Sequence, residues 1–143
     1  MRDIKFRGKK FDNGEWIYGC IIGGASEGLP VIVGDDFDVD DDYIRLNTWC
    51  SVDTSTVGQF TGLLDKNNKE VYEGDIVEGN WLGGTRKGNI VFIEEIASFG
   101  VLFEGRETPC AILNKLDWFT KNYDFQCEVI GTIYETPELL EAN

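Results

Sequence analysis

Residues Val57–Glu78 read VGQFTGLLDKNNKEVYEGDIVE, and the fold class turns on them. Gln59-Phe60-Thr61-Gly62 has the look of a strand, and Asp65-Lys66-Asn67-Asn68 is turn chemistry. Val71, Ile76 and Val77 return as apolar, β-branched positions on either side of Glu73-Gly74-Asp75. The Gly-Asp-hydrophobic step resembles the turn that launches a strand in small SH3-type barrels. Asp65, Asn67 and Lys69 also mimic the opening of a calcium loop. That reading fails, because Glu70 stands where the loop needs glycine and Ile76 where it needs a bidentate glutamate. The segment reads as a connection between strands, with Asp and Asn side chains folding back on local backbone.

Outward from this segment the β signal continues. Ile4 and Phe6 alternate with Lys5 and Arg7, Asp12-Asn13-Gly14 supplies a turn, and Trp16–Ile22 returns, which predicts an N-terminal hairpin. Trp16, Tyr18, Cys20 and Ile22 share one of its faces. Pro30–Gly34 reads as a short buried strand and Tyr43–Leu46 as another. Asn89–Ile93 and Phe99–Phe103 are the clearest buried strands, with Glu94–Ser98 between them. The spacing of Leu113, Leu116 and Phe119 predicts a short helix over Ile112–Thr120. Glu128–Tyr134 reads as a strand, and Thr136-Pro137-Glu138 as a helix start that docks Leu139 and Leu140. Seventeen glycines against three prolines fit a chain with many reversals. The expected architecture is mainly β: an N-terminal β-hairpin lobe over residues 1–53, then an SH3-type barrel with one or two short helices over residues 54–143.

Composition narrows the function classes. Thirteen Lys and Arg against twenty-six Asp and Glu leave a net charge of −13, which repels phosphate backbones and anionic lipid. Direct nucleic-acid binding and membrane attachment are therefore not expected. The same charge leaves room for imitation of nucleic acid at a basic protein site. Cys20, Cys50, Cys110 and Cys127 have no close pairing and the chain has no histidine. The usual zinc patterns are missing, and the cysteines read as small hydrophobes in a reducing, cytoplasmic setting. No apolar run approaches the ~20 residues of a membrane span.

Two stretches are candidate surfaces. Asp35–Asp42, DDFDVDDD, places Asp35, Asp36, Asp38, Asp40, Asp41 and Asp42 around Phe37 and Val39. The functional reading is a cation-binding loop or an acidic docking surface; the bland one, which weighs more, is a solvated loop. Gly79–Gly88, GNWLGGTRKG, reads as a glycine-rich loop with Trp81, Leu82, Arg86 and Lys87 as recognition residues. Its bland reading is a hairpin tip with Trp81 packed back on the barrel. Neither stretch has a phosphate-cradling glycine fingerprint.

The segments IKFRGKKF (4–11) with WIYG (16–19), QFTGLLDKNNKEVYEGDIV (59–77), GNIVF (88–92) and EVIGTIYETPELL (128–140) together resemble, in order, the YopX-like family of phages and prophages. Asn68 stands where that pattern commonly has glycine, and Val71 where it has isoleucine. The resemblance implies a β-rich fold containing an SH3-type barrel and a phage or prophage origin. It brings no catalytic residues and no cofactor.

Without histidine, triad and imidazole acid–base chemistry are excluded, and no hydroxyl nucleophile sits in a recognisable elbow. The expectation is no enzyme, no cofactor and no metal site, but an interaction or self-assembly module whose protein partner the sequence does not name. The alternatives are an acidic decoy for a nucleic-acid-binding protein and, last, a divalent-metal hydrolase working through the aspartates.

Overall fold

The structure, a computed structural model, describes residues 3–23, 28–81, 84–111 and 127–141. It is mainly β, with three short 3-10 turns as the described helical elements. The chain divides into two compact units, Met1–Phe60 and Thr61–Asn143.

In the first unit, β1 (Phe6–Lys9) and β2 (Trp16–Ile22) form the expected N-terminal hairpin, with Arg7 opposite Tyr18. Its turn closes through Gly14, whose φ of 70° is open to glycine, and the Glu15 amide donates to the Asn13 side-chain oxygen at 3.0 Å. β3 (Val31–Val33) pairs with β2, and β6 (Trp49–Ser51) with β3. β7 (Gly58–Leu64) begins on the other side of β1. Ile17, Ile32 and Val52 form the core, joined by Phe6, Ile21, Cys50 and Val57.

Tyr18, Cys20 and Ile22 do share a face of β2, but it is the outward one; Ile17, Gly19 and Ile21 point inward. Cys20 is thus exposed rather than a buried hydrophobe. Arg7, expected on the polar face of β1, is 3% exposed. Its guanidinium carbon lies 4.4 Å from the Trp16 ring centroid, and the Lys9 ammonium 5.2 Å from the same ring. A planar, weakly hydrated guanidinium stacks on an indole, so this cation tolerates burial that alternation alone does not predict.

β4 (Phe37–Val39) and β5 (Ile44–Leu46) pair with each other as a separate two-stranded ribbon. The acidic stretch is therefore a hairpin rather than an irregular loop.

In the second unit, β7 ends and β8 (Glu70–Tyr72) follows across the turn at Asp65–Lys69. β9 (Asp75–Trp81), β10 (Gly84–Ile93), β11 (Ser98–Phe103) and β12 (Cys110–Ala111) form an antiparallel meander. β13 (Glu128–Thr132) returns to pair with β9, so the order is β12-β11-β10-β9-β13. The described strands form open sheets, without a closed SH3-type barrel among them. Val71, Val77, Ile90, Val101, Phe103, Cys127 and Val129 make the core. The helix expected over Ile112–Thr120 lies outside the described residues.

The turn between β8 and β9 behaves as its sequence asks. Gly74 has φ +83°. Its amide donates to the Ile90 carbonyl at 2.9 Å, and its carbonyl accepts from the Ile133 amide at 2.9 Å. The Asp75 carboxylate folds back to accept from the Tyr72 amide at 2.8 Å. At the C-terminal end, Pro137–Leu140 is a 3-10 turn with proline at its start. The Thr136 hydroxyl does not cap it, but accepts from the Thr132 amide at 3.2 Å. The same hydroxyl donates to the Thr132 carbonyl at 3.3 Å, so the preceding turn holds it away from the cap position.

Gly74→Ala combines a left-handed backbone with a Cβ 2.7 Å from the Tyr134 ring. It is expected to lower stability by about 1–3 kcal/mol, read as a lower urea midpoint with an unchanged m-value.

Candidate interaction surfaces

The acidic stretch is built by alternation at a scale of three residues. In β4–β5, Phe37 lies opposite Leu46, Asp38 opposite Arg45 and Val39 opposite Ile44. Opposed residues point to the same side and successive ones to opposite sides. Phe37, Val39, Ile44 and Leu46 thus form one face, and Asp38 and Arg45 the other. The apolar face is uncovered: its four residues are 48%, 68%, 65% and 36% exposed.

The polar face is tied at its base by Asn47. Its backbone amide donates to the Asp36 carbonyl at 3.0 Å, and its side-chain amide to the Asp36 and Asp38 carboxylates at 3.4 and 3.2 Å. At the tip the Asp40 amide donates to the Tyr43 carbonyl at 3.0 Å. The Asp41 amide donates to the Asp40 carboxylate at 2.7 Å. All six predicted aspartates are exposed. Tyr43–Leu46 is legible as a strand, but the pairing that sets Phe37 and Val39 on one face with Ile44 and Leu46 is not, although Phe37-Asp38-Val39 and Ile44-Arg45-Leu46 carry the period-two signal that marks it. Among the described residues, no group of three or more His, Cys, Asp and Glu side chains converges to hold a metal ion.

The second candidate, expected as a loop at 79–88, is a regular hairpin. Trp81 pairs with Gly84, Asn80 with Thr85, Gly79 with Arg86 and Glu78 with Lys87. Backbone pairing carries the strands to within two residues of the tip despite four glycines. Lys87 is thereby placed across from Glu78, its ammonium 3.9 Å from the carboxylate. Arg86 is exposed on the opposite side of β10. Thr85 donates its hydroxyl to the Asn80 side-chain oxygen at 3.2 Å. Leu82 lies outside the described residues, and the surroundings of the Trp81 side chain do too.

The central segment is a clasp. Asp65, buried at 6% exposure, accepts through Oδ1 from the Asn67 and Lys69 amides at 2.8 and 2.9 Å. Its Oδ2 accepts from the Val129 amide at 3.0 Å. The Lys66 amide donates to the Cys127 carbonyl at 3.0 Å. The Lys66 ammonium meets Glu128 at 2.8 Å, and the Asn67 side chain donates to the same carboxylate at 3.2 Å. The hydrogen bond and charge of Glu128 raise the Lys66 ammonium, and those of Lys66 lower the Glu128 carboxyl. Asn68 adopts φ 62°. It takes the left-handed position that glycine commonly fills, which asparagine tolerates better than most residues. Burial first, then the Asp65 charge, pushes the Cys127 thiol up to about 12.

A model of the YopX protein family matches residues 5–141. The chain belongs to the YopX family. The family match spans both units. The crystal structure of protein EF1440 from Enterococcus faecalis is similar to this YopX-family chain, with a TM-score of 0.63 and 24% identity. The alignment covers 99% of this chain and 100% of that one. At that identity the likeness concerns the fold alone. No curated protein matches the chain. Among the described residues, no helix is long and apolar enough to cross a membrane.

Two predictions follow the clasp. Asp65→Asn keeps the shape but removes the charge and one acceptor oxygen. It should cost about 1–3 kcal/mol in urea unfolding, whereas Lys66→Ala, which breaks an exposed pair, should shift the midpoint far less. The second concerns pH. The Cys127 pKa is raised from an ordinary 9.0 to about 12, so the unfolded chain loses this proton first. Its contribution to stability is complete below pH 9 and is lost as pH rises from 9 to about 12. The slope is up to about 1.4 kcal/mol per pH unit. Cys127→Ala should show a shallower alkaline loss in urea titrations.

Proposed function

We propose that this YopX-family chain is a non-enzymatic protein-interaction or self-assembly module, encoded by a phage or prophage and working in the cytoplasm of a bacterial host. The observation that carries the reading is the β4–β5 ribbon, where four large apolar residues stand in a row facing solvent. Contiguous apolar surface of this kind marks association sites more often than scattered single residues do. A nearby exposed residue in sequence, Trp49, adds an aromatic of the type favoured as an interface anchor.

The order β12-β11-β10-β9-β13, a four-stranded meander whose fifth strand returns to the first, supports an SH3-type arrangement of the second unit. Trp81, Leu82, Arg86 and Lys87 at the β9–β10 hairpin are a second candidate surface, supported by the exposure of Arg86. Neither a cofactor nor direct nucleic-acid binding enters the reading, given the charge of −13.

A second reading, an acidic decoy for a nucleic-acid-binding protein, is favoured by the full exposure of Asp35, Asp36, Asp38, Asp40, Asp41 and Asp42. Divalent-metal hydrolysis through these aspartates ranks last; heat release on titrating Ca²⁺, Mg²⁺ or Mn²⁺ would bring it forward.

The test is light scattering of the purified chain together with capture from bacterial lysate, with and without prophage induction. The module reading expects either a defined oligomer or a reproducible partner. A strict monomer that captures nothing from either lysate contradicts it.

A further inference from the structure

The ribbon combines three features that define what fits it. Among the described strands, each of its two is paired on one side only, so its edges present backbone donors and acceptors. One face is apolar through Phe37, Val39, Ile44 and Leu46. Its margins are acidic: Asp35 and Asp36 stand at the base, Asp38 on the reverse face, and Asp40, Asp41 and Asp42 around the tip. Residues 35–46 hold those six aspartates against the single cation Arg45.

A two-stranded ribbon is marginal in water unless something covers its apolar face. None of the four apolar residues belongs to the Ile17–Ile32–Val52 core cluster. Among the described residues the ribbon thus stands apart from that cluster, its apolar face exposed.

We infer that the β4–β5 ribbon docks a protein partner with an apolar groove rimmed by lysine or arginine, the groove taking Phe37, Val39, Ile44 and Leu46 and the rim facing the tip aspartates. This rests on the interaction-module reading and names its surface and partner chemistry. Charge selects this occupant over a second copy. Two copies packed ribbon to ribbon bring two sets of six aspartates together, on chains that each carry −13. A cationic rim instead gains attraction and faster encounter.

The probe is a synthetic strand-forming peptide of alternating leucine and lysine, beside a leucine–glutamate peptide of equal length. Both are titrated against the intact protein and two variants at low and high salt. The first variant, V39T/I44T, removes apolar surface while keeping charge and β-branching. The second changes Asp35, Asp36, Asp38, Asp40, Asp41 and Asp42 to Asn. Unchanged thermal midpoints establish that both variants fold.

The expected result is that the lysine peptide binds the intact chain, the glutamate peptide does not, and each variant weakens binding about tenfold or more. Loss with the Asn variant alone means recognition by charge only, which overturns the inference and leaves the decoy reading standing. An oligomer of the intact chain that V39T/I44T dissociates means that a second copy covers the ribbon. That also overturns the inference, while the self-assembly reading stands. Absence of lysine-peptide binding overturns it as well, whereas the interaction reading itself fails only on the lysate and light-scattering result.

Discussion

The Asp65 carboxylate is the constraint on which the second unit depends most. It receives three backbone N–H groups, two from its own turn and one from Val129, 64 residues further along the chain. The turn alone is ordinary side-chain-to-backbone chemistry. What the carboxylate adds is an acceptor for an amide of β13, a strand paired only with β9 among the described strands. A buried, unpaired N–H there would carry its full desolvation penalty, and a charged acceptor satisfies it with a stronger bond than a neutral one. Val129 and Cys127, the residues flanking the Lys66–Glu128 bridge, belong to the same apolar cluster as Val71 and Val77. The clasp therefore holds the turn, the returning strand and the core in one register.

The β4–β5 ribbon is organised on the opposite principle. Among the described residues its ties are its own ladder, the Asn47 bonds at its base and the Asp40–Tyr43 and Asp41–Asp40 bonds at its tip. Where Asp65 is buried and fully engaged, the ribbon aspartates are exposed, and the apolar residues between them face solvent. The charge of the clasp is thus turned inward to hold the fold, while the apolar surface of the ribbon is turned outward.

How much of this was legible depended on the range of the signal. Gly74 and the Asp65–Asn68 turn were readable because their chemistry is local: φ beyond +60° at Gly74 and a carboxylate two and four residues from the amides it accepts. β10 and β11 were readable from long β-branched and aromatic runs. Arg7 was not, since its burial depends on the Trp16 ring from the neighbouring strand. Over 79–88 the sequence reads as a glycine-rich loop or hairpin tip because glycine weakens strand propensity, while cross-strand pairing extends the strands to Trp81 and from Gly84. Of the ribbon, β5 was legible within Tyr43–Leu46, but β4 was not, because a strand of three residues lies below the length at which alternation stands out from a run of aspartates. The bond from Asp65 to Val129 was beyond reach for the simplest reason, sequence distance. The YopX resemblance, by contrast, was carried by several spaced segments, and the family match over residues 5–141 bears it out.

The most direct test of the functional account places a photoreactive amino acid at position 44, on the apolar face of the ribbon, and at position 38, on its reverse. Crosslinking is then carried out in bacterial cells expressing the chain and the products are identified by mass spectrometry. The account predicts a heterologous product from position 44, far weaker from position 38, in which the crosslinked peptide lines an apolar groove bordered by lysine or arginine. Products joining two copies of this chain, or equal labelling from both positions, would contradict it.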